Sequence, residues 1–235
     1  MAYKKNKKRT TAKKPYRRST RKVARRSGVR VMRNPGRSLI ADRYSTKMVY
    51  SDTYNPSNVA NTITWTQFRL GGIFDPDYLI GGHQPMGFDQ LAVIYGRYIV
   101  TGCKVIIEGR FRSSNMDTNP ICANLLIGAA PLANMVLPTT LSIANESRQY
   151  WTRTYSDQEA VRFSKYFNLA KINGCTKQQY MIEENYTGAN NADPQKNTLL
   201  NIGFVPTGSE VTNFQHTVTL VYYVTWYSPN YVPPS

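Results

Sequence analysis

The chain has 235 residues and a formal net charge of +16, enough for one ordinary domain and a tail, with a surplus that calls for a polyanionic partner. Three widely spaced cysteines, Cys103, Cys122 and Cys175, give neither a disulfide framework nor a paired zinc spacing, so reduced thiols are expected. No run reaches the ~18 apolar residues of a membrane span, and no apolar stretch of signal-peptide length follows the opening Lys/Arg cluster, so neither membrane insertion nor secretion is expected.

The placement of the charge divides the chain. Residues 1–43 hold seven lysines and ten arginines against one acid, Asp42, whereas residues 44–235 hold thirteen basic and thirteen acidic side chains. The first segment has almost no large apolar side chain before Val29 and repels itself, so it cannot offset its chain entropy and is expected to be a disordered arm. Its cations, Lys4, Lys5, Lys7, Lys8, Arg9, Lys13, Lys14, Arg17, Arg18, Arg21, Lys22, Arg25, Arg26, Arg30, Arg33, Arg37 and Arg43, are the candidate nucleic-acid-binding residues. They would displace counterions from phosphates, with an affinity that falls steeply with salt and little base specificity. The clusters Lys4, Lys5, Lys7, Lys8, Arg9 and Arg17, Arg18, Arg21, Lys22 also read as nuclear-import signals. A helix over 19–26 can form once phosphates neutralise the repulsion.

From residue 44 the texture is Tyr, Thr, Val, Ile and Asn, the residues of strands and turns. The first predicted strand is Thr46–Tyr54, ended by Asn55-Pro56. The second is Asn61–Leu70, with Ile63, Trp65 and Gln67 on one face and Thr64, Thr66 and Phe68 on the other. A short helix is predicted at Phe88–Tyr95, with Asp89 in its first turn. A long strand follows at Tyr98–Phe111, with Val105, Ile107 and Phe111 on one face and Lys104, Ile106, Glu108 and Arg110 on the other. Gly102 and Gly109 mark bulges or bends. Ile121–Ala130 is apolar throughout, as a strand buried on both faces is. Arg148–Tyr155 and Val161–Leu169 flank Ser156-Asp157-Gln158, read as a hairpin turn. Thr198–Val205 and the strictly alternating Thr217–Tyr227 complete eight strands. Eight strands with loops of uneven length predict a single all-β domain over 44–235, an antiparallel jelly roll of two packed sheets.

Catalytic patterns are absent. His83 and His216 lie far apart and read as structural, and no nucleophile elbow, zinc-protease helix or phosphate-cradling loop occurs. Asp75-Pro76-Asp77 and Glu183-Glu184 lack the spacing of a calcium loop and read as solvated acids or arginine partners. Neither enzymatic activity nor a metal or cofactor is expected.

The segment Pro85–Glu108, PMGFDQLAVIYGRYIVTGCKVIIE, runs a short tyrosine-bearing helix into a long strand of alternating basic and apolar residues. With the basic arm ahead of it and the proline-tailed strand His216–Tyr227 behind, it resembles the capsid proteins of circovirus-like viruses with circular single-stranded DNA genomes. The resemblance implies a shell protein of the virion, sixty copies in the smallest icosahedron. It also implies arms on a single-stranded DNA genome, passage into the host nucleus on import receptors, and a cell-surface attachment factor of unknown identity. Sixty such arms would neutralise on the order of a thousand phosphates. The same fold serves small RNA viruses, so an RNA genome is one alternative and a cellular basic nucleic-acid-binding protein another. Tyr78, Tyr150, Trp151, Tyr186 and Tyr231 are candidate anchors between subunits.

Overall fold

The computed structural model describes residues 40–56, 62–79, 82–111, 122–156, 160–207 and 214–230. The chain divides after Arg37, and all described residues belong to the second unit, Ser38–Ser235. The expected arm, apart from 40–43, lies outside them, as do Asp157 and Gln158 of the expected turn.

Alternating sequence becomes nine antiparallel strands: β1 (Arg43–Tyr54), β2 (Thr64–Arg69), β3 (Tyr95–Phe111), β4 (Cys122–Pro131), β5 (Tyr150–Ser156), β6 (Val161–Asn168), β7 (Thr187–Ala189), β8 (Thr198–Pro206) and β9 (Phe214–Pro229). The chain runs out along β1 to β4 and returns, pairing β4 with β5, β3 with β6, β2 with β8 and β1 with β9. Rolling this ribbon adds β3·β9 and β4·β8 and gives two sheets, β1-β9-β3-β6 and β2-β8-β4-β5. That strand order is the jelly roll.

All eight predicted strands are present, and β7 makes nine among the described residues. It pairs with Arg97–Ile99 of β3, where β6, which begins its pairing at Gly102, has run out. The expected β5–β6 hairpin is not formed, since β5 pairs with β4 and β6 with β3. Alternation tells which residues face inward but not which strand lies alongside, and the roll sends these neighbours to opposite sheets.

The register of β3 against β9 shifts between Val100 and Gly102, leaving Thr101 as the extra residue of a bulge. Its Oγ1 donates to the Tyr223 carbonyl at 3.2 Å. Arg97 and Ile99 face outward before the bulge, and Lys104, Ile106, Glu108 and Arg110 face outward after it, as the register with β9 requires. Gly109 marks no bulge, because pairing continues through Gly109↔His216 and Arg110↔Gln215. It makes room instead, for a Cβ there would overlap the Phe214 ring, which stacks on Phe204 at 4.5 Å.

The main core lies between the sheets. On β9 every second residue from Phe214 to Trp226 is buried, and Trp226 packs on Phe88, Tyr95 and Tyr98. Phe88 comes from the predicted helix α1 (Phe88–Ile94), whose N-cap, Gly87, has φ +86°. Three short helices were not predicted: α2 (Leu141–Glu146), α3 (Leu169–Ile172) and α4 (Lys177–Ile182). Runs of four to six residues are too short to show a 3.6 period. Their caps are legible only in hindsight, as in the Thr176/Gln179 capping box of α4. Helix α2 covers the outer face of the second sheet, where Ala144 and Leu141 pack with Ile63, Trp65, Leu126 and Val205. Strand β4 is therefore buried on both faces, as its apolar run required.

The Gly109→Ala variant is expected to lose about 1–3 kcal/mol of stability in chemical denaturation, because the added methyl must displace the stacked Phe214 ring.

Candidate nucleic-acid interface

Of the candidate phosphate-binding residues, Arg43 alone falls within the described part. It opens β1, exposed, opposite Tyr227. Lys4 to Arg37 lie outside the described residues. Arg43 lines a groove of about 740 Å3 between the outer face of the first sheet and α4, together with Arg97, Ile99, Lys177, Glu184 and Tyr227. Arg97 is paired with Glu184 at 3.1 Å. Among the described residues no carboxylate pairs with Arg43 or Lys177, so the groove carries uncompensated positive charge at the start of β1.

The acids singled out in the sequence are structural. Asp75 accepts from Arg69 at 2.7 Å, Glu184 pairs with Arg97, and Glu183 pairs with Lys196. Asp77 accepts the Tyr54 hydroxyl at 3.0 Å and the Leu79 N–H at 3.0 Å. Arg69 also approaches Asp193 at 3.7 Å, and Asp193 accepts the Tyr98 hydroxyl and the Phe74 N–H, each at 3.1 Å. Burial holds the Asp193 carboxyl above its ordinary range although Arg69 and Tyr98 pull it down. This network straps residues 69–78 onto the sandwich.

The two histidines, distant in sequence, flank one tyrosine pair. His83 stacks on Tyr50 at 4.6 Å and His216 on Tyr54 at 5.8 Å, and the two hydroxyls lie 3.2 Å apart. Burial pushes Tyr50 up to about 12 and Tyr54 higher still, so both hydroxyls stay protonated and neither serves as a base near neutral pH. His216 is buried between Tyr54 and Phe214, and among the described residues neither ring nitrogen has a hydrogen-bond partner. Cys103 is fully buried, which pushes its thiol up and leaves it inert.

Of the tyrosine and tryptophan anchors, Tyr150 and Tyr186 are buried within the domain and Tyr78 is half-buried beneath Arg69. Tyr231 lies outside the described residues, and Trp151 is exposed at 41%.

No protein-family model and no curated protein matches the chain. Its structure is similar to that of a semi-empty virus-like particle of the giant freshwater prawn Macrobrachium rosenbergii nodavirus, at 9% identity and a TM-score of 0.42, over 84% of this chain and 100% of that one. It is similar to Desmodium yellow mottle tymovirus at 9% identity and a TM-score of 0.39, over 81% and 93%. For tobacco necrosis virus the figures are 12% and 0.36, over 79% and 98%. At such scores these likenesses carry no functional argument. None bears the name of the circovirus-like group.

Burial depresses His216 to about 4, against an ordinary 6.5. The unfolded chain therefore takes up this proton first, so the stability the neutral ring contributes is complete above pH 6.5. It is lost as pH falls toward 4, by up to about 3 kcal/mol. Melting temperatures measured from pH 7 to pH 4 are expected to fall less steeply for His216→Phe than for the unsubstituted protein.

Proposed function

We propose that this protein is a viral coat subunit, a jelly roll that assembles into a closed icosahedral shell and packages a single-stranded genome through its basic arm. The observation that carries the reading is the segregation of charge: the whole surplus sits in residues 1–43, ahead of a jelly-roll body that sums to zero. Subunits of no net charge can touch without long-range repulsion, while an arm of such density exceeds what a single duplex site needs. The sandwich interior is filled by Trp226, Tyr98, Phe88, Phe204 and Phe214, so the surfaces and the arm do the work. Viral coats are one established use of this fold. Sixty copies form the smallest closed shell, and arm clusters at 4–9 and 17–22 serve nuclear import before assembly. The resemblance over 85–108 favours a DNA genome, with RNA as the alternative.

Electron microscopy of the purified protein is expected to show uniform particles of about 20 nm. Their nucleic acid should be destroyed by deoxyribonuclease once the particles open; digestion by ribonuclease instead would assign the RNA alternative. Replacing Arg17, Arg18, Arg21, Lys22, Arg25 and Arg26 by Gln should make log K against log salt shallower by about 4 for a single strand. A discrete monomer at every salt concentration would remove the shell reading, and an unchanged slope would remove the arm.

A further inference from the structure

The neutral total of residues 44–235 conceals an uneven surface. On the outward face of the β1-β9-β3-β6 sheet stand Arg43, Lys47, Arg97, Lys104, Arg110 and Arg162, against one acid of the sheet, Glu108, which pairs with Arg162 at 3.1 Å. Among the described residues Glu184 reaches this face at Arg97, at 3.1 Å, whereas Asp52 and Asp77 lie around the Tyr54 hydroxyl and Asp75 and Asp193 around Arg69. Among the described residues Lys47, Lys104 and Arg110 have no carboxylate partner. The second sheet carries α2 on its outer face, whereas the first is open along most of its length.

Four of these cations stand opposite tyrosines. Strand register sets Arg43 and Arg97 on either side of Tyr227, Lys47 opposite Tyr223, and Lys104 opposite Tyr166. Lys47 lies over the Tyr223 ring at 5.3 Å, and Tyr166 meets Tyr223 edge to face at 5.4 Å. Tyr166 lies across Gly102, where any Cβ would overlap its hydroxyl, and it remains 50% exposed. Ser45–Thr225, Ser51–Thr219 and Thr53–Thr217 hydroxyl pairs at 3.0, 2.9 and 3.1 Å line the rest. Cations that hold phosphates beside aromatic rings on which bases stack are the two requirements of a sequence-tolerant single-strand surface.

We propose that this sheet face is a second binding surface for single-stranded nucleic acid, with bases stacked on Tyr166 and Tyr223 and phosphates held by Lys47, Lys104 and the groove arginines. The choice of nucleic acid as the polyanion rests on the packaging reading above; the surface itself rests on the register.

The test uses the full-length protein with a 20-nucleotide oligothymidylate and, as a charge-only probe, inorganic polyphosphate. Tyr166→Ala/Tyr223→Ala is expected to weaken oligothymidylate binding about tenfold or more, to leave polyphosphate binding unchanged, and to be rescued by Tyr166→Phe/Tyr223→Phe. Lys47→Gln/Lys104→Gln should make the salt dependence shallower by about 1.4. The exposed pair Arg148→Gln/Lys171→Gln, which lies on no strand of this sheet, should not change it. Retained oligothymidylate affinity in the alanine variant, an equal loss on polyphosphate, or equal slopes for the two charge pairs would overturn the proposal. Each readout is independent of shell formation, so a failure here and a failure to assemble are told apart.

Discussion

One extra residue in β3 holds the two halves of the open sheet in phase. Side chains alternate across a strand, so a uniform pleat that kept Arg97 and Ile99 outward would also turn Cys103, Val105 and Ile107 outward and drive Lys104, Glu108 and Arg110 into the core. Thr101 absorbs the difference. Its bulge lies where the edge partner of β3 changes from β7 to β6, and its hydroxyl satisfies the Tyr223 carbonyl beside it. From that correction follow a continuous apolar inner face and a basic outer one.

The two sheets meet their surroundings differently. The second closes its outer face with α2 and a small apolar cluster around Trp65, whose indole N–H donates to the Pro138 carbonyl at 3.2 Å. The first leaves hydroxyls, tyrosines and cations in solvent. A body that is neutral in sum can therefore join its like and still present positive charge in one direction. A body basic overall would mark a cellular nucleic-acid-binding protein, and a neutral one a coat subunit. The uneven surface weakens that distinction and leaves assembly as the property that separates them.

Much of the fold was legible where burial is one-sided or complete. The alternation of Thr217–Tyr227 located β9 and its inner face, and the apolar run at 121–130 located a strand covered on both sides. The misreadings concern partners. The β5–β6 hairpin, the bulge at Gly109 and the anchors Tyr150 and Tyr186 each looked natural locally, yet each depends on what the roll brings alongside: the opposite sheet, the Phe214 ring, and contacts such as Tyr180 against Tyr186 at 4.4 Å. The meeting of His83 and His216 around Tyr50 and Tyr54 left no trace in spacing for the same reason.

Sequence alone located eight of the nine strands found among the described residues, the inward residues of most of them and the concentration of surplus charge in the first 43 residues, because these are properties of composition and of a two-residue period. The tertiary structure decided which strands are neighbours, and with them the pairing of Lys47 with Tyr223 and of Lys104 with Tyr166. Those residues lie 176 and 62 positions apart. Only hydrogen-bonded register across the sheet brings them together, and no local pattern encodes register between strands so distant in the chain.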